Sequence, residues 1–300
     1  MTRLRIEHLT QYQYQSDVTL AQHLAYLRPR SSAWQRVLDH ELLIEPKAQE
    51  LILQTDAFDN ERYFFSLTHP HRSLRVQTTT VVEKSSRYAS FDPSNTPAWE
   101  DVRHSMVYSL DQSFVWASQF VWPSPYIGWH QALKDYALQS FTRNRPIASA
   151  GIELCQRIYQ DFSYESGATE IHTPLESAFE QRKGVCQDFA HIMIGCLRAI
   201  GLAGKYVSGY LLTKPPPGVE RLRGADASHA WIALYCPNAP GQWLELDPTN
   251  SVIADLDHVC LAQGRDFGDV SPLRGVIRGG GQHQLAIAVT VEPLETAHTL

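Results

Sequence analysis

A cysteine, a histidine and an aspartate follow one another in the second half of the chain, each at the end of a predicted element. Cys186 follows Gly184 and Val185 and begins an amphipathic stretch that is typical of a helix. Free N–H groups and the positive dipole end at a helix N-terminus favour the nucleophilic thiolate form of a cysteine. The same N–H groups can bind the oxyanion that forms when a thiolate attacks an acyl carbon. Cys186 therefore fits a nucleophile, although a cysteine in such a position is more often a buried core residue.

A nucleophilic cysteine needs a base, and the base needs an orienting group. His229 begins a predicted strand in Ser-His-Ala-Trp, and Asp247 ends another in Leu-Glu-Leu-Asp-Pro. If the turn at 237–241 joins these strands in antiparallel order, both residues lie at the same end of the sheet. Asp247 can then bind one imidazole nitrogen of His229 while the other nitrogen faces Cys186. The sequence therefore predicts a Cys-His-Asp site.

Other side chains near these motifs are candidates for lining the cleft. Asp188 falls in the first turn of the Cys186 helix, where an acid interacts favourably with the dipole, and anchoring the site is the alternative role. Gln187 is a candidate oxyanion donor. Tyr164 is predicted to line the cleft or to pack in the core, and Trp231 to wall the site or simply to pack.

The segment Lys214–Ser228 leads directly into the histidine motif and is predicted to form a lid or a specificity wall. Arg221 and Arg223 in this segment are candidates for binding an acidic substrate group, and a solvated loop is the alternative. His191 lies five residues after Cys186 and points to another face of the helix. We therefore expect His191 to pack or to bind a neighbouring loop rather than to act as a base.

Periodicity predicts the elements that position these residues. Helices are predicted over Trp129–Phe141, over Ile147–Phe162, from Thr173-Pro174 to near Arg182 with Gly184 as the C-terminal turn, and from Cys186 to Gly201. Strands are predicted over Lys205–Thr213, His229–Cys236 and Gln242–Leu246, and Leu285–Val291 is expected to close this sheet.

The fold predicted from these elements is α+β. Residues 1–85 alternate in strand-like fashion between turn signals and are predicted to form an antiparallel β-sandwich. The proline-rich residues 86–128 are predicted to be a linker or crossover, with a short helix around Gln112–Phe120. Residues 129–300 are predicted to form the catalytic core.

Composition excludes several classes of protein. The 300 residues are 43% hydrophobic and 19% charged, which is globular, and the net charge of −6 argues against nucleic-acid binding. No apolar run is long enough to span a membrane, and no signal peptide is evident. Five cysteines without a CxxC pair indicate free thiols in a reducing cytoplasm rather than a disulfide framework or a metal site. We expect no cofactor and no metal, and nothing in the sequence indicates a homo-oligomer.

Three ordered motifs carry a family resemblance: RKGVCQDFAHIM, DASHAWIALY and WLELDPTN. Together they resemble the transglutaminase-like superfamily of cysteine enzymes, and the bacterial branch is the most similar. The beginning RIEHLTQYQYQ resembles the β-rich domain that precedes the core in many bacterial members, and the tail GRDFGDVSPLRGVIRGGGQHQLAIAV resembles that branch too. The resemblance implies a papain-like core in which Cys186 is the nucleophile, His229 the general base and acid, and Asp247 the orienting carboxylate.

The resemblance also implies a reaction. Cys186 attacks a peptide or carboxamide carbonyl, His229 protonates the leaving amine, and an acceptor takes the acyl group from the thioacyl-enzyme. Water as acceptor makes the protein a peptidase or amidase, which we expect, with a peptide or protein as substrate. An amine acceptor would make it a transglutaminase or peptide ligase, and a non-catalytic scaffold on the same fold is a further alternative.

Overall fold

A computed structural model of the chain describes residues 1–107, 110, 113, 115–170, 173–213 and 228–294. Within these residues the chain forms a seven-stranded sheet, a five-stranded sheet and a two-stranded pair, together with six α-helices. The predicted α+β class is confirmed: antiparallel β structure at the N-terminus precedes helices that pack on a second antiparallel sheet.

The elements have the following bounds. The N-terminal strands are β1 (Thr2–Ala25), β2 (Gln35–Glu45), β3 (Glu50–Thr55), β4 (Glu61–Leu67) and β5 (His71–Lys84). Next come α1 (Trp99–Ser105), a 3-10 helix (Trp116–Phe120), α2 (Gln131–Leu138), α3 (Ile147–Asp161), β6 (Ser163–Tyr164), α4 (Leu175–Gln181), β7 (Lys183–Gly184) and α5 (Cys186–Ala199). The chain continues through β8 (Gly204–Leu211), β9 (Ser228–Tyr235), a 3-10 helix (Pro240–Gln242), β10 (Trp243–Asp247), β11 (Val252–Ile253), β12 (His258–Gly264), α6 (Phe267–Val270), β13 (Leu273–Gly279) and β14 (His283–Leu294).

The first sheet is built on the long strand β1. The first half of β1 lies between β5 and β14, and its second half lies between β4 and β13. The pairing with β5 shifts register between Gln13 and Val18, and such irregularities bend a strand. The sheet therefore curls, and it encloses a core that contains Tyr14, Phe65 and Leu74. The predicted alternation holds at the start of β1, where Leu4 and Ile6 are buried.

The C-terminal strand corrects one prediction. Leu285–Val291 was expected to close the core sheet, but it lies in β14, where Leu285 pairs with Tyr12 and Val291 with Ile6 of β1. Alternation indicates a strand but contains no information about its partner, and both sheets could take another antiparallel strand. The division at residues 85 and 128 stays a prediction, and the range 129–300 includes two strands whose partner is β1.

The second sheet has the order β11-β10-β9-β8-β12 and is antiparallel throughout. Helix α5 packs on β8 and β9, and twelve of its fourteen residues are buried. The predicted helices and strands of this region are present as α2, α3, α4, α5, β8, β9 and β10, with ends that differ by at most three residues. Gly201, with φ +81°, follows α5 as predicted.

The turn before Cys186 differs from its prediction. The left-handed residue after α4 is Arg182, with φ 56°, and not Gly184. Gly184 lies in β7, where an added Cβ would be 2.5 Å from Oδ2 of Asp188. The glycine is therefore required by close packing against a carboxylate and not by a positive φ. The residue before α4 is Pro174, one position after the predicted cap Thr173.

The stretch between the two regions contains α1 and the first 3-10 helix. The predicted helix over Gln112–Phe120 is present in part, because residues 116–120 form that 3-10 helix, while residues 112 and 114 lie outside the described residues. No helix in the described part of the chain is long and apolar enough to cross a membrane.

Candidate active site

Cys186 is the first residue of α5, and the carboxylate of Asp188 fixes the turn before it. Oδ2 of Asp188 accepts hydrogen bonds from the backbone N–H of Val185 at 2.8 Å and from the hydroxyl of Thr169 at 2.6 Å. Asp188 is buried and lies in the first turn, where it also interacts favourably with the helix dipole. The first turn of α5 is therefore held in place while the thiol of Cys186 remains partly exposed.

The start of β9 and the end of β10 bring His229 and Asp247 together. The two strands are antiparallel neighbours, and Leu246 pairs with Ile232. Nε2 of His229 donates a hydrogen bond to Oδ2 of Asp247 at 2.7 Å. This is the juxtaposition expected from the positions of the two residues at opposite ends of adjacent strands.

The thiol of Cys186 is close enough to the imidazole of His229 to act on the pKa of the ring. Because Nε2 of the ring binds Asp247, Nδ1 is the nitrogen that remains for the sulfur. Burial lowers the pKa of His229, but the hydrogen bond to Asp247 and the negative charges of Asp247 and Cys186 outweigh it and raise the pKa to about 10. The imidazole therefore holds a proton between a carboxylate and a sulfur atom.

Asp247 is completely buried and surrounded by donors. Oδ2 accepts from Nε2 of His229, from Nε2 of His258 at 3.0 Å and from Nδ2 of Asn250 at 2.7 Å. Oδ1 accepts from the backbone N–H groups of Thr249 at 2.9 Å and Asn250 at 3.3 Å. Burial acts to raise the pKa of Asp247, but the hydrogen bonds from the two histidines hold it well below its usual range.

Two of these donors were missed by the sequence analysis. Asn250 follows Asp247 by three residues, and an aspartate that binds the N–H groups two and three residues later is a common turn. The sequence Asp-Pro-Thr-Asn could therefore have suggested it. His258 begins β12, a strand that pairs with β8 and is not a direct neighbour of β10. Nothing in the spacing of His258 points to the site.

Trp231 lies behind the imidazole rather than in an open cleft. Its ring stacks on that of His229, with centroids 6.0 Å apart, and meets the ring of His258 edge-on at 5.1 Å. The indole N–H donates to Glu245 at 2.9 Å, and the whole side chain is buried. Gly209 provides space for it, because an added Cβ would lie 2.5 Å from the indole. The packing role is the one that this geometry supports.

The remaining candidates have different surroundings. The side chain of Tyr164 is exposed, and partial burial, followed by the charge of Cys186, raises its pKa. Gln187 follows Cys186 in the first turn of α5 and is partly buried, and its role as an oxyanion donor stays a prediction. Arg221 and Arg223 lie outside the described residues.

His191 is buried on another face of α5. Its Nε2 accepts a hydrogen bond from the backbone N–H of Phe267 at 3.2 Å, and its ring packs against Tyr206. Burial lowers the pKa of His191 to about 3, so the ring is neutral. His191 therefore packs in the core, as one of the two expectations had it, and it binds the first residue of α6 rather than a loop.

The donor set of the site also contains possible metal ligands. Nitrogen or oxygen atoms of His229, Asp247 and His258 lie within 4.8 Å of one another. Oδ2 of Asp247 is already the acceptor for both imidazoles at hydrogen-bond distance. We therefore interpret the cluster as a hydrogen-bond network, and the expected absence of a metal stays a prediction.

Two family models match this chain. The bacterial transglutaminase-like N-terminal region matches residues 4–83, and the transglutaminase-like superfamily model matches residues 136–248, which include the cysteine, histidine and aspartate motifs. In solved structures, the chain is similar to a protein from Cytophaga hutchinsonii that bears the provisional name of a cysteine protease. The TM-score is 0.73 at 20% identity, over 99% of this chain and 92% of that one.

Curated relatives cover the chain almost completely. The Mycobacterium tuberculosis protein Rv2569c, whose name says that it is uncharacterized, is 39% identical over 98% of this chain and 93% of its own length. The Mycobacterium leprae protein ML0607 is 30% identical over 98% and 100%. A protein-glutamine gamma-glutamyltransferase from Pseudomonas aeruginosa is 27% identical over 48% of this chain, but this match spans only 22% of that protein.

Proposed function

Because the chain belongs to the transglutaminase-like superfamily, we propose that it is a cysteine enzyme that cleaves peptide or carboxamide bonds through a thioacyl intermediate. The observation that carries the proposal is the imidazole of His229, which binds the carboxylate of Asp247 and has the thiol of Cys186 near enough to raise its pKa. A nucleophile, a base and an orienting carboxylate side by side are what nucleophilic acyl transfer requires.

The first half of the reaction forms the thioester. Sγ of Cys186 attacks the carbonyl carbon, and the backbone N–H groups of the first turn of α5 stabilise the oxyanion, with the amide of Gln187 as a further donor. The C–N bond then breaks as the proton on His229 moves to the leaving nitrogen, which departs as an amine or ammonia. The acyl group remains on sulfur.

The second half releases the acyl group. His229 removes a proton from water, the resulting hydroxide attacks the thioester carbonyl, and the C–S bond breaks to give a carboxylic acid and the free thiol. Asp247 stays ionised throughout, because its pKa is held low by the two histidines. Its task is to orient the ring of His229 and to stabilise the positive charge that the ring carries.

Water is the acceptor that we propose, with a peptide or protein as the acyl donor. An amine acceptor is the second candidate, and the similarity of about half of this chain to the Pseudomonas aeruginosa gamma-glutamyltransferase favours it. Both reactions pass through the same thioester on Cys186, so they differ only in what attacks it. A non-catalytic scaffold would need neither the thiol nor the imidazole to react.

Alkylation by iodoacetamide tests the reactive thiol before any substrate is known. We expect a single fast modification by mass spectrometry that is absent in Cys186→Ala and persists at about pH 6, where an ordinary thiol of pKa about 8.5 is almost unreactive. In His229→Ala the rate at low pH should fall to that of an ordinary thiol. Cys260→Ala is the matched control, because Cys260 is the other partly exposed cysteine. Slow alkylation of Cys186 in the wild-type protein would contradict the proposal.

The acceptor is identified with a glutamine-containing peptide library and a fluorescent primary amine. A hydrolase releases ammonia or cleaves the chain and leaves the amine free, whereas a transglutaminase attaches the amine to the peptide. Either activity should fall by about 10²–10⁴ in His229→Ala, as expected for loss of a general acid and base. Activity that is unchanged in Cys186→Ala would exclude both.

A cytoplasmic location is part of the proposal. All five cysteines are unpaired, and three of them are buried, which is typical of a protein that matures in a reducing compartment. Cell fractionation with marker proteins for each compartment tests it, and recovery of the native protein with an extracytoplasmic marker would contradict it.

A further inference from the structure

A charged cavity lies between the N-terminal sheet and the core sheet, at the opposite end of β10 from Asp247. Its volume is about 230 Å³, and the exposed Ser32 lies on its rim. Four cationic side chains line it: Arg30 before β2, Lys84 at the end of β5, Arg87 after β5 and Lys205 on β8. None of the residues that line the cavity takes part in the proposed reaction.

Lys84 is the most enclosed of these cations, with 8% of its surface exposed. Its ammonium lies 3.3 Å from Oε1 of Gln35, which also accepts the backbone N–H of Cys260. Within the described part of the chain, Lys84 forms no ion pair with a carboxylate. Burial lowers its pKa. A buried ammonium whose one neutral acceptor is shared is poorly compensated.

Lys205 approaches the same cavity from the core sheet. Its ammonium lies 4.0 Å from the ring centroid of Trp243 and 5.1 Å from that of Phe120, with Oε1 of Gln263 at 3.4 Å. Its partners are therefore aromatic faces and an amide, and among the residues described here none is a carboxylate. Burial, followed by the positive charge of Arg30, lowers the pKa of Lys205 to about 8.

The two carboxylates of the cavity have other partners. Glu245 forms an ion pair with Arg87 and accepts the indole N–H of Trp231. Asp255 accepts the hydroxyl of Ser86 at 2.6 Å and the backbone N–H of Arg87 at 2.9 Å. The four cations that line the cavity therefore face two carboxylates, which leaves two positive charges without a counterpart there.

Arg30 completes the set. Its guanidinium donates to the carbonyl of Phe58 at 2.6 Å and to Oδ1 of Asn60 at 2.8 Å. Its position is therefore fixed by neutral acceptors, and no carboxylate among the described residues forms an ion pair with it. The positive charge of Arg30 acts to lower the pKa of Lys205 and that of Cys260 across the cavity. The charge of Lys84 also acts to lower the pKa of Cys260. The cations thus converge on one volume rather than pointing to separate patches of solvent.

We propose that this cavity binds a small dianion, such as inorganic phosphate, sulfate or a short dicarboxylate. A dianion there would neutralise the two uncompensated charges and accept hydrogen bonds from the ammonium groups of Lys84 and Lys205. Bonds from charged donors to an anion are among the stronger hydrogen bonds in proteins, especially where water is partly excluded. The ligand would connect β5 of the N-terminal sheet with β8 of the core.

Calorimetric titration of the full chain with sulfate, phosphate and succinate tests the site, with sodium chloride keeping the ionic strength constant. We expect one dianion per chain, together with a rise in the thermal midpoint that grows with dianion concentration. The ligand class is identified by the anion that binds with the higher affinity, either an oxyanion (sulfate or phosphate) or the dicarboxylate succinate. A rise that chloride reproduces at equal ionic strength, or the absence of a saturable heat for all three anions, would overturn the proposal.

Neutral variants locate the binding. In Lys84→Met and Lys205→Met we expect the affinity for the best dianion to fall by about tenfold or more, as for the loss of one charged hydrogen bond. Lys47→Met is the matched control on the exposed surface and should bind as the wild type does. Both single variants should fold without ligand, because each removes an uncompensated charge. Undiminished binding in both variants would place the anion elsewhere and overturn the site.

Discussion

His258 donates a hydrogen bond to the same oxygen of Asp247 that accepts one from His229. The two bonds measure 3.0 and 2.7 Å, and both end on Oδ2. A donor on a carboxylate stabilises its negative charge and so competes with the stabilisation that the carboxylate gives to a neighbouring imidazolium. His258 therefore adjusts how strongly Asp247 holds the proton of His229, and we infer that it is a positioning residue.

Replacing His258 should change the pH dependence of the thiol. In His258→Phe, Asp247 loses one donor, its charge acts more fully on His229, and the pKa of His229 rises above its present value of about 10. We expect the upper transition in the rate of Cys186 alkylation against pH to move to higher pH. His258→Gln can still donate an N–H and should restore most of the wild-type profile.

A residue that merely fills space would behave differently. His258→Phe would then lower the unfolding free energy without moving the pH profile, and His258→Gln would not restore it. His104→Gln, at an exposed position on α1, is the control and should leave the profile unchanged. A wild-type profile in His258→Phe would refute the positioning role.

The close packing of Gly184 on Asp188 should make this glycine hard to replace. In Gly184→Ala the new Cβ would meet Oδ2 of Asp188 at 2.5 Å, the oxygen that holds the N–H of Val185. We expect the unfolding free energy to fall by about 1–3 kcal/mol, the usual cost of overpacking. The low-pH alkylation of Cys186 should also slow, because the start of α5 moves.

A double-mutant cycle separates this effect from a general loss of glycine flexibility. Asp188→Gly removes the carboxylate and also the Cβ of residue 188, which would lie 2.8 Å from the new methyl group, so Gly184→Ala should cost clearly less in that background than in the wild type. Unfolding in urea, followed by circular dichroism, measures all four proteins. Additive costs in the double variant would show that the contact with Asp188 is not the cause.

The order of the motifs along the chain was enough to predict that His229 and Asp247 lie side by side. Cys186 begins a helix, His229 begins a strand and Asp247 ends the next one, so antiparallel pairing of the two strands places them together. Local signals contained this information. The partner of β14 could not be predicted in the same way, because alternation at residues 285–291 fits either sheet.

Contacts between distant segments account for what was missed. His258 reaches Asp247 from a strand that is not its neighbour, and no local pattern encodes that approach. Gly184 was predicted to be a helix terminator because glycine usually supplies a positive φ, whereas here Arg182 takes that conformation. Glycine is required at position 184 because the Asp188 carboxylate packs against it. This contact depends on the position of α5 and cannot be predicted from the local sequence.

The ion pair between Arg87 and Glu245 should contribute far more to the unfolding free energy than the ion pairs on the surface do. Both side chains are about seven-eighths buried, with 13% and 12% exposed, and Arg87 also binds the carbonyl groups of Pro240 and Trp243. Arg87→Met would leave Glu245 as an unpaired buried charge, which costs about 3–5 kcal/mol. Urea unfolding measures the loss.

Arg72→Met is the matched control for this prediction. Arg72 also binds a carboxylate, that of Asp17, but both side chains are more than half exposed. Such a pair contributes about 0–1 kcal/mol. Equal losses in the two variants would mean that the link from Arg87 through Glu245 to Trp231 does not stabilise the fold.

The pair formed by His229 and Asp247 should stabilise the fold over a defined range of pH. Burial lowers the pKa of His229, but the bond to Asp247 and the charge of Cys186 raise it from 6.5 to about 10, so its contribution is complete below about pH 6.5 and is lost as the pH rises through 10. The pKa of Asp247 is depressed, so its contribution is present above its ordinary pKa of about 4 and is lost as the pH falls through its folded value.

The raised pKa of His229 and the depressed pKa of Asp247 together predict that the pair stabilises the fold most between about pH 4 and 6.5. We expect the difference in unfolding free energy between the wild type and His229→Ala to be largest near about pH 5.5 and to shrink steadily toward about pH 9.5. The cavity left by the missing imidazole lowers the unfolding free energy by the same amount at each pH. The change of the difference with pH therefore reports only the charge interaction. His104→Ala supplies the baseline for an exposed histidine. A difference that stays constant over this range would mean that the imidazole of His229 is neutral in the folded protein, and the proton that the proposed mechanism delivers to the leaving nitrogen would have to come from another group.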